Sequence, residues 1–149
     1  MSEHRIRIVI VDDQALFRGG IAMLIQSQSD LELVGEAGNG ADALSLVSAT
    51  APDLVLMDLR MPVMDGIEAT ERLMAAPAPP RVLVLTTFDL DASAARAIRA
   101  GASGFVLKDA DPEFLLAAIR TVHAGSAVIA PSAVTALRET ALAELGPEL

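Results

Sequence analysis

Short apolar runs alternate along the chain with longer stretches in which apolar residues recur every three or four positions. The runs are rich in β-branched residues and end at polar residues, which is typical of buried strands. The longer stretches have the spacing of amphipathic helices, as in the one that carries Phe17, Ile21 and Leu24. The pattern therefore predicts five successive strand–helix units.

Each predicted strand is followed by one predicted helix. We expect strands at 5–11, 31–35, 53–57, 81–85 and within 102–107, and helices at 17–25, 43–47, 67–74, 91–100 and 115–122. Asp111 and Pro112 suit a helix N-cap and first helical position, and Gly125 suits the end of the last helix. Strands that alternate with helices form a parallel sheet covered on both faces, with right-handed crossovers.

The end of the chain departs from this alternation. At 149 residues the chain has the length of one compact domain, and the five units account for residues 1–125. Residues 126–149 are expected to form a linker with one additional amphipathic helix at 132–145, because apolar residues recur there at helical spacing. This helix either packs on the domain or leads toward a further one.

Composition and charge exclude several classes of function. The net charge is −9, with 20 acidic residues against 11 basic ones, so this domain is not expected to bind nucleic acid itself. The absence of cysteine excludes a thiolate nucleophile and a cysteine metal site. We see no signal peptide and no apolar run of about 20 residues, so we expect a cytoplasmic protein without membrane contact.

Polar residues whose side chains could take part in catalysis or metal binding lie at the ends of the predicted strands. Asp12 and Asp13 follow the first strand, Asp58 the third, Thr86 the fourth and Lys108 the fifth. Ligands of open parallel α/β sheets bind just outside the carboxyl ends of the strands. We therefore expect these five side chains to converge at one edge, although they are far apart in the sequence.

The chemistry of this set points to phosphoryl transfer. Three carboxylates in one small site repel one another, and Mg²⁺ removes that conflict because it prefers carboxylate oxygens. A carboxylate can attack phosphorus and form an aspartyl phosphate. The ammonium group of Lys108 and the hydroxyl group of Thr86 would then stabilise the transferred group.

These residues belong to longer motifs that resemble one family. The motifs are Asp12-Asp13, the run VLMDLRMPVMDG from Val55 to Gly66, Thr86, and the run GASGFVLK from Gly101 to Lys108. In this order and spacing they resemble the receiver domains of two-component response regulators, over about residues 6–124. The resemblance implies a flavodoxin-like (CheY-like), doubly wound α/β fold with a five-stranded parallel sheet in the order 2-1-3-4-5, here with an extra C-terminal helix.

The resemblance also implies a metal site and a phosphate acceptor. Asp58 would be the phospho-acceptor and Asp13 would bind Mg²⁺ directly. Asp12 would assist, usually through a metal-bound water. The backbone carbonyl of Arg60 would be a further ligand, so that the implied metal set is Asp12, Asp13, Asp58 and Arg60.

The family also has a switch. By the resemblance, Thr86 and Lys108 would bind the phosphoryl group. Phe105 falls at the position of the family's switch aromatic, which turns inward as Thr86 moves toward the phosphate. We further hypothesise that Arg60 and Phe88, two residues beyond Asp58 and Thr86, shield the acyl phosphate from water.

Within the family, the sequences around Thr86 and Lys108 resemble the NarL/FixJ subgroup, whose members carry a C-terminal LuxR-type helix-turn-helix domain. Nothing after Ser126 resembles that domain.

The implied partners are a cognate sensor histidine kinase and a second copy of the chain in a phosphorylation-dependent homodimer, with the first and fifth helices as candidate surfaces. The alternative is a stand-alone receiver that acts by protein–protein interaction without DNA.

Other functions fit the sequence less well. A phosphatase of the haloacid dehalogenase type needs a second aspartate two residues after the first, where Arg60 stands. A nucleotide-binding module needs a glycine-rich loop after the first strand, where Asp12 and Asp13 stand. A pseudoreceiver would lack part of the acid, threonine and lysine set. Taken singly, Asp12 and Asp13 are also common helix caps, and Asp65-Gly66 is a common turn.

Overall fold

The strands and helices follow one another as the apolar pattern predicts. The computed structural model describes residues 4–87, 92–126 and 128–129. The strands are β1 (Ile6–Val11), β2 (Leu31–Ala37), β3 (Leu54–Asp58), β4 (Arg81–Thr86), β5 (Gly104–Leu107) and β6 (Val128–Ile129). The helices are α1 (Ala15–Gln26), α2 (Gly40–Thr50), α3 (Gly66–Met74), α4 (Ala92–Arg99) and α5 (Pro112–His123). Within the described ranges, none of these helices combines the length and the apolar character needed to span a bilayer.

The strands pair in parallel, in the order β2-β1-β3-β4-β5-β6. The predicted order 2-1-3-4-5 of the five-stranded sheet is therefore confirmed. The sequence did not indicate β6, which extends the sheet by pairing Val128 with Gly104 and Ile129 with Phe105. Two β-branched residues are too few to reveal a strand period. The additional helix predicted at 132–145 lies outside the described residues.

Each face of the sheet has its own core, because successive strand residues point to opposite faces. On one face, valines and a methionine of β1, β3 and β4 pack against α2, α3 and α4. On the other face, isoleucines and leucines of the same strands pack against α1 and α5. The central strand β3 is buried along its whole length. This is the doubly wound arrangement expected from the sequence.

Two local features differ from the sequence-based expectation. The strand β2 continues past Gly35 to Ala37, because Gly35 makes room for Leu46 of α2 and does not end the strand. A Cβ at Gly35 would lie 2.8 Å from the Leu46 side chain. Asp111 occupies the N-cap position before Pro112 as predicted, but its side chain makes no capping hydrogen bond.

Candidate functional site

Three aspartates meet at the carboxyl edge of the sheet. The neighbouring strands β1 and β3 end their register with the pair Val11 and Met57, so the next residues, Asp12 and Asp58, emerge side by side. One carboxylate oxygen of each of Asp12, Asp13 and Asp58 lies within 4.8 Å of the others. Asp12 and Asp58 are buried, whereas Asp13 is exposed. The structure thus brings these three predicted residues together.

Lys108 reaches the same cluster from β5. Its backbone N–H donates to the carbonyl oxygen of Thr86 at the end of β4 (2.7 Å). Its Nζ lies 2.6 Å from Asp12 Oδ2 and 3.4 Å from Asp58 Oδ2, and its side chain is only 9% exposed. Lys108 is also the only lysine in the sequence. The single ammonium side chain of the protein is therefore enclosed at this edge of the sheet.

The environment of Asp58 disfavours its negative charge. Burial, and after it the negative charge of Asp12, raise the pKa of Asp58 from 3.8 to about 6. Lys108 and a hydrogen bond from the backbone N–H of Arg60 act in the opposite direction, without cancelling the effect. An additional positive charge between the carboxylates would lower this pKa and favour the ionised form.

Asp12 offers an oxygen that suits such a charge. Its Oδ1 accepts a hydrogen bond from the backbone N–H of Gln14 (2.8 Å). Its Oδ2 is buried and lies 2.6 Å from the Lys108 ammonium. One ammonium group thus faces a cluster of three carboxylates, and divalent cations such as Mg²⁺ prefer carboxylate oxygens. The three aspartates therefore fit a divalent metal ion.

A cavity of about 180 Å³ opens beside the aspartates. It is lined by Asp13, Gln14, Asp58, Leu59, Arg60, Thr86, Thr87 and Lys108. We call it the phosphoryl cavity, since every predicted metal and phosphoryl residue except Asp12 lines it. Thr86 is half-buried at the end of β4, and Arg60 is exposed at the rim.

The loop between β3 and α3 is fixed against Asp58 by close backbone contact. A Cβ at Gly66 would clash with the carbonyl oxygen of Asp58, so only glycine lets the chain return so closely. The N–H of Gly66 donates to the carbonyl oxygen of Leu59 (2.9 Å), and Asp65 caps α3 by accepting from the N–H of Glu68 (2.9 Å). Asp65 and Gly66 thus do more than the ordinary turn that the sequence indicated.

Phe105, the predicted switch aromatic, is fully buried. It lies on β5 opposite Val84, in the core that also contains residues of α4. Its side chain is therefore turned inward. Thr86, its predicted companion, lies at the end of the neighbouring strand β4 and pairs with Leu107.

Two residues at the site were not predicted to belong to it. The Nζ of Lys108 donates to Gln14 Oε1 (3.0 Å) and lies 4.7 Å from the ring centroid of Phe17. In the sequence, Gln14 carried no signal, and Phe17 showed only the helical spacing of an apolar residue. Their contact with Lys108 depends on how α1 sits against β5, which spacing along the chain does not reveal.

Comparison with known proteins decides the family. Residues 8–120 match the family model described as the response regulator receiver domain. The chain belongs to this family. The receiver domain is 43% identical to the uncharacterised transcriptional regulatory protein YxjL of Bacillus subtilis, over 86% of this chain and 59% of that protein. It is 38% identical to the probable transcriptional regulatory protein NarL of Mycobacterium tuberculosis, over 89% of this chain and 62% of that protein.

Solved structures of NarL- and LuxR-type regulators have the same fold as this receiver domain. A LuxR-family response regulator from Aurantimonas sp. SI85-9A1 superposes with a TM-score of 0.84 at 36% identity, over 91% of this chain and 96% of that one. The receiver domain of NarL from Mycobacterium tuberculosis gives a TM-score of 0.78 at 36% identity, over 82% and 98%. This receiver domain spans about three-fifths of the length of the curated relatives it matches.

The hypothesis of a shield around the phosphate concerns two further positions of this receiver domain. Arg60 lines the phosphoryl cavity, as that hypothesis requires. Phe88 lies outside the described residues. The shielding pair therefore stays a prediction.

Proposed function

We propose that this receiver domain accepts a phosphoryl group on Asp58 and acts as a regulatory switch. The observation that carries the proposal is the position of Asp58, beside Asp12 and Asp13 and with the Lys108 ammonium 3.4 Å from its Oδ2. A carboxylate nucleophile, a cation-binding cluster and a fixed positive charge are the parts that phosphoryl transfer needs.

In the transfer step, a carboxylate oxygen of Asp58 forms a bond to phosphorus. The bond between phosphorus and the leaving atom of the donor breaks, and its electron pair leaves with the donor. The Lys108 ammonium stabilises the negative charge of the transferred group as a compact point charge. The Thr86 hydroxyl, which lies at the same cavity, donates a hydrogen bond to a phosphoryl oxygen. Later hydrolysis of the acyl phosphate resets Asp58.

The metal ion that we propose is Mg²⁺. Asp13 and Asp58 would be carboxylate ligands, the backbone carbonyl of Arg60 a further ligand, and Asp12 would act through a metal-bound water. When bound, Mg²⁺ supplies positive charge to the phosphoryl oxygens. The approach of one carboxylate oxygen each from Asp12, Asp13 and Asp58 to within 4.8 Å of the others supports this assignment.

The phosphoryl donor that we propose is a phosphohistidine of a cognate sensor histidine kinase, in the cytoplasm. Receiver domains of response regulators as a family interact with such kinases. The cognate kinase would supply the group, and this domain would supply the acceptor carboxylate and the charges around it.

The output that we propose is a change in protein contacts. Phosphate would hold Thr86 and the inward Phe105 in one of two arrangements, and only such differential contact can shift the equilibrium between them. The consequence would be phosphorylation-dependent homodimerisation.

Because the relatives are transcriptional regulatory proteins, we propose that residues 1–125 are the receiver domain and 126–149 a linker toward a helix-turn-helix domain that controls transcription. The second candidate is a stand-alone receiver without DNA binding.

Incubation of the untagged protein with Mg²⁺ and acetyl phosphate tests the proposal. We expect the intact mass to increase by one acid-labile phosphoryl group, which EDTA prevents and Asp58→Asn abolishes. Asp111→Asn, which removes an exposed carboxylate that does not line the phosphoryl cavity, should leave the reaction unchanged. An unmodified wild-type protein would reject Asp58 as the acceptor and favour a pseudoreceiver. A phosphoryl group that persists in Asp58→Asn would show that another residue is the acceptor.

A further inference from the structure

The ammonium group of Lys108 has two neighbours at the start of α1, the N-cap residue Gln14 and Phe17 in the first turn. Its Nζ donates to Gln14 Oε1 at 3.0 Å, and it lies over the Phe17 ring at 4.7 Å from the centroid. Gln14 itself is tied to the site, because its backbone N–H donates to Asp12 Oδ1. The start of α1 therefore contacts both members of the Lys108–Asp12 ion pair.

These contacts matter because a lysine side chain does not hold its own position. Its four-carbon stem is flexible, and its ammonium group is a compact charge that can pair with partners in many directions. Asp12 and Asp58 attract the Lys108 ammonium from one side, at 2.6 and 3.4 Å. The Gln14 amide oxygen accepts from another side, and the Phe17 ring attracts the cation through its negative face. The ammonium group thus contacts four side chains, three of them from residues 12–17 and the fourth, Asp58, from the end of β3.

Lys108 also stands between two cavities of different character. On one side is the phosphoryl cavity, which Gln14 lines as well. On the other side is an apolar groove of about 650 Å³ between α1 and α5, lined by Phe17, Leu24 and other apolar residues. Lys108 belongs to the walls of both. A rotation of its stem would move the charge from the first cavity toward the second.

We propose that Gln14 and Phe17 are positioning residues for Lys108, which hold its ammonium group toward the phosphoryl cavity and away from the apolar groove. The Phe17 ring fills the direction in which the stem would turn. Gln14 supplies the hydrogen bond that keeps the ammonium near the carboxylates. The effect on phosphoryl transfer rests on the proposed function, whereas the position of the ammonium group does not.

Phe17 also packs against the core on the α1 and α5 side of the sheet, so a test must separate positioning from packing. Phe17→Leu removes the ring but keeps an apolar side chain, and Phe17→Tyr restores the ring. Leu24→Ala is the matched control, because it removes a similar number of carbon atoms from the same groove and the same core. Gln14→Ala removes the amide acceptor from an exposed side chain.

The single lysine of the chain gives a direct spectroscopic measurement. In untagged protein with ¹³C-labelled lysine, one Cε–Hε signal reports Lys108 alone. We expect this signal to lie upfield of its position in the urea-unfolded protein, because Cε is bonded to the Nζ that lies over the Phe17 ring, 4.7 Å from its centroid. Phe17→Leu should lose the upfield shift, whereas Phe17→Tyr and Leu24→Ala should keep it. An equal shift in wild type and Phe17→Leu overturns the proposal, whatever the protein does with phosphate.

Phosphorylation by acetyl phosphate gives the second measurement. We expect Phe17→Leu to lower the rate about three- to tenfold, from the usual strength of a partly desolvated cation–π contact, and Gln14→Ala to lower it about twofold to threefold. Phe17→Tyr should restore the rate and Leu24→Ala should leave it within about twofold. Equal losses in Phe17→Leu and Leu24→Ala overturn positioning in favour of packing. A wild type that accepts no phosphate rejects the proposed function, and the lysine signal still decides the position of Lys108.

Discussion

The carboxylates of Asp12 and Asp58 are buried side by side at the ends of two neighbouring strands. The register of β1 and β3 enforces this proximity, since Val11 and Met57 are the last paired residues before them. The Lys108 ammonium contacts both carboxylates. Burial, and after it the negative charge of Asp12, nevertheless raise the pKa of Asp58 to about 6. The negative charge of Asp58 is therefore unfavourable in the metal-free protein.

The first prediction concerns stability without metal. Asp58 has a pKa of about 6 when folded and the ordinary value of 3.8 when unfolded. Below pH 3.8 Asp58 is protonated in both states. Between pH 3.8 and about 6 the unfolded chain has lost this proton, whereas the folded protein still holds it. The free energy of unfolding therefore falls over this window, by up to about 3 kcal/mol. In EDTA at pH 7.5, Asp58→Asn should be more stable than wild type, and the difference should shrink toward pH 4.

Urea denaturation across this pH range checks the stability difference. Asp111→Asn is the control, because it removes an exposed carboxylate whose side chain does not cap α5. We expect it to change stability little at any pH. Equal stability of wild type and Asp58→Asn at pH 7.5 would show that Lys108 already compensates the buried charges.

The second prediction concerns metal binding. A divalent cation that binds the folded state raises its stability, by about 2.7 kcal/mol at a hundredfold excess over the dissociation constant. We expect MgCl₂ to raise the melting temperature of wild type in a saturable manner. Asp13→Asn should remove most of this increase, because Asp13 contributes an exposed carboxylate to the cluster and its loss leaves the core intact. Calorimetry with NaCl at matched ionic strength separates specific binding from screening.

The main features of the fold and of the site were predictable from the sequence. The alternation of apolar runs and helical stretches indicates parallel strands, and parallel strands bring their ends to one edge. Asp12, Asp58 and Lys108 are therefore predicted to converge without knowledge of any distance. This inference needs only the order of the elements, which the apolar pattern carries clearly.

Contacts that depend on the phase of a helix were not predictable. Phe17 fits the apolar stripe of α1 whether it faces the core or the Lys108 ammonium, and the structure places it against both. The two informative glycines gave equally weak signals. Gly35 suggested the end of a strand and Gly66 an ordinary turn, whereas both admit a close neighbour, the Leu46 side chain and the Asp58 carbonyl oxygen. Close approach is a property of the packed structure, and local sequence does not record it.

The third prediction tests the close approach at Gly66. Gly66→Ala places a Cβ against the carbonyl oxygen of Asp58, so the loop or the end of β3 must shift. We expect a loss of about 1 to 3 kcal/mol in the free energy of unfolding, together with slower phosphorylation. Gly19→Ala is the control, because a Cβ at Gly19 in α1 meets no atom within 4 Å. That change should stabilise the protein by up to about 1 kcal/mol, since alanine favours helix.

The last prediction concerns Val63 in the loop that follows β3. Val63 has a φ of 70°, and 85% of its surface is exposed to solvent. A β-branched side chain in the left-handed region is strained by about 1 to 2 kcal/mol, and an exposed side chain gains little from burial in return. Val63→Asn should therefore raise the free energy of unfolding by about 1 kcal/mol, because asparagine tolerates this conformation. Val63→Ala keeps the Cβ clash and should gain little, so equal gains in both variants would place the cause in the apolar side chain and not in the backbone.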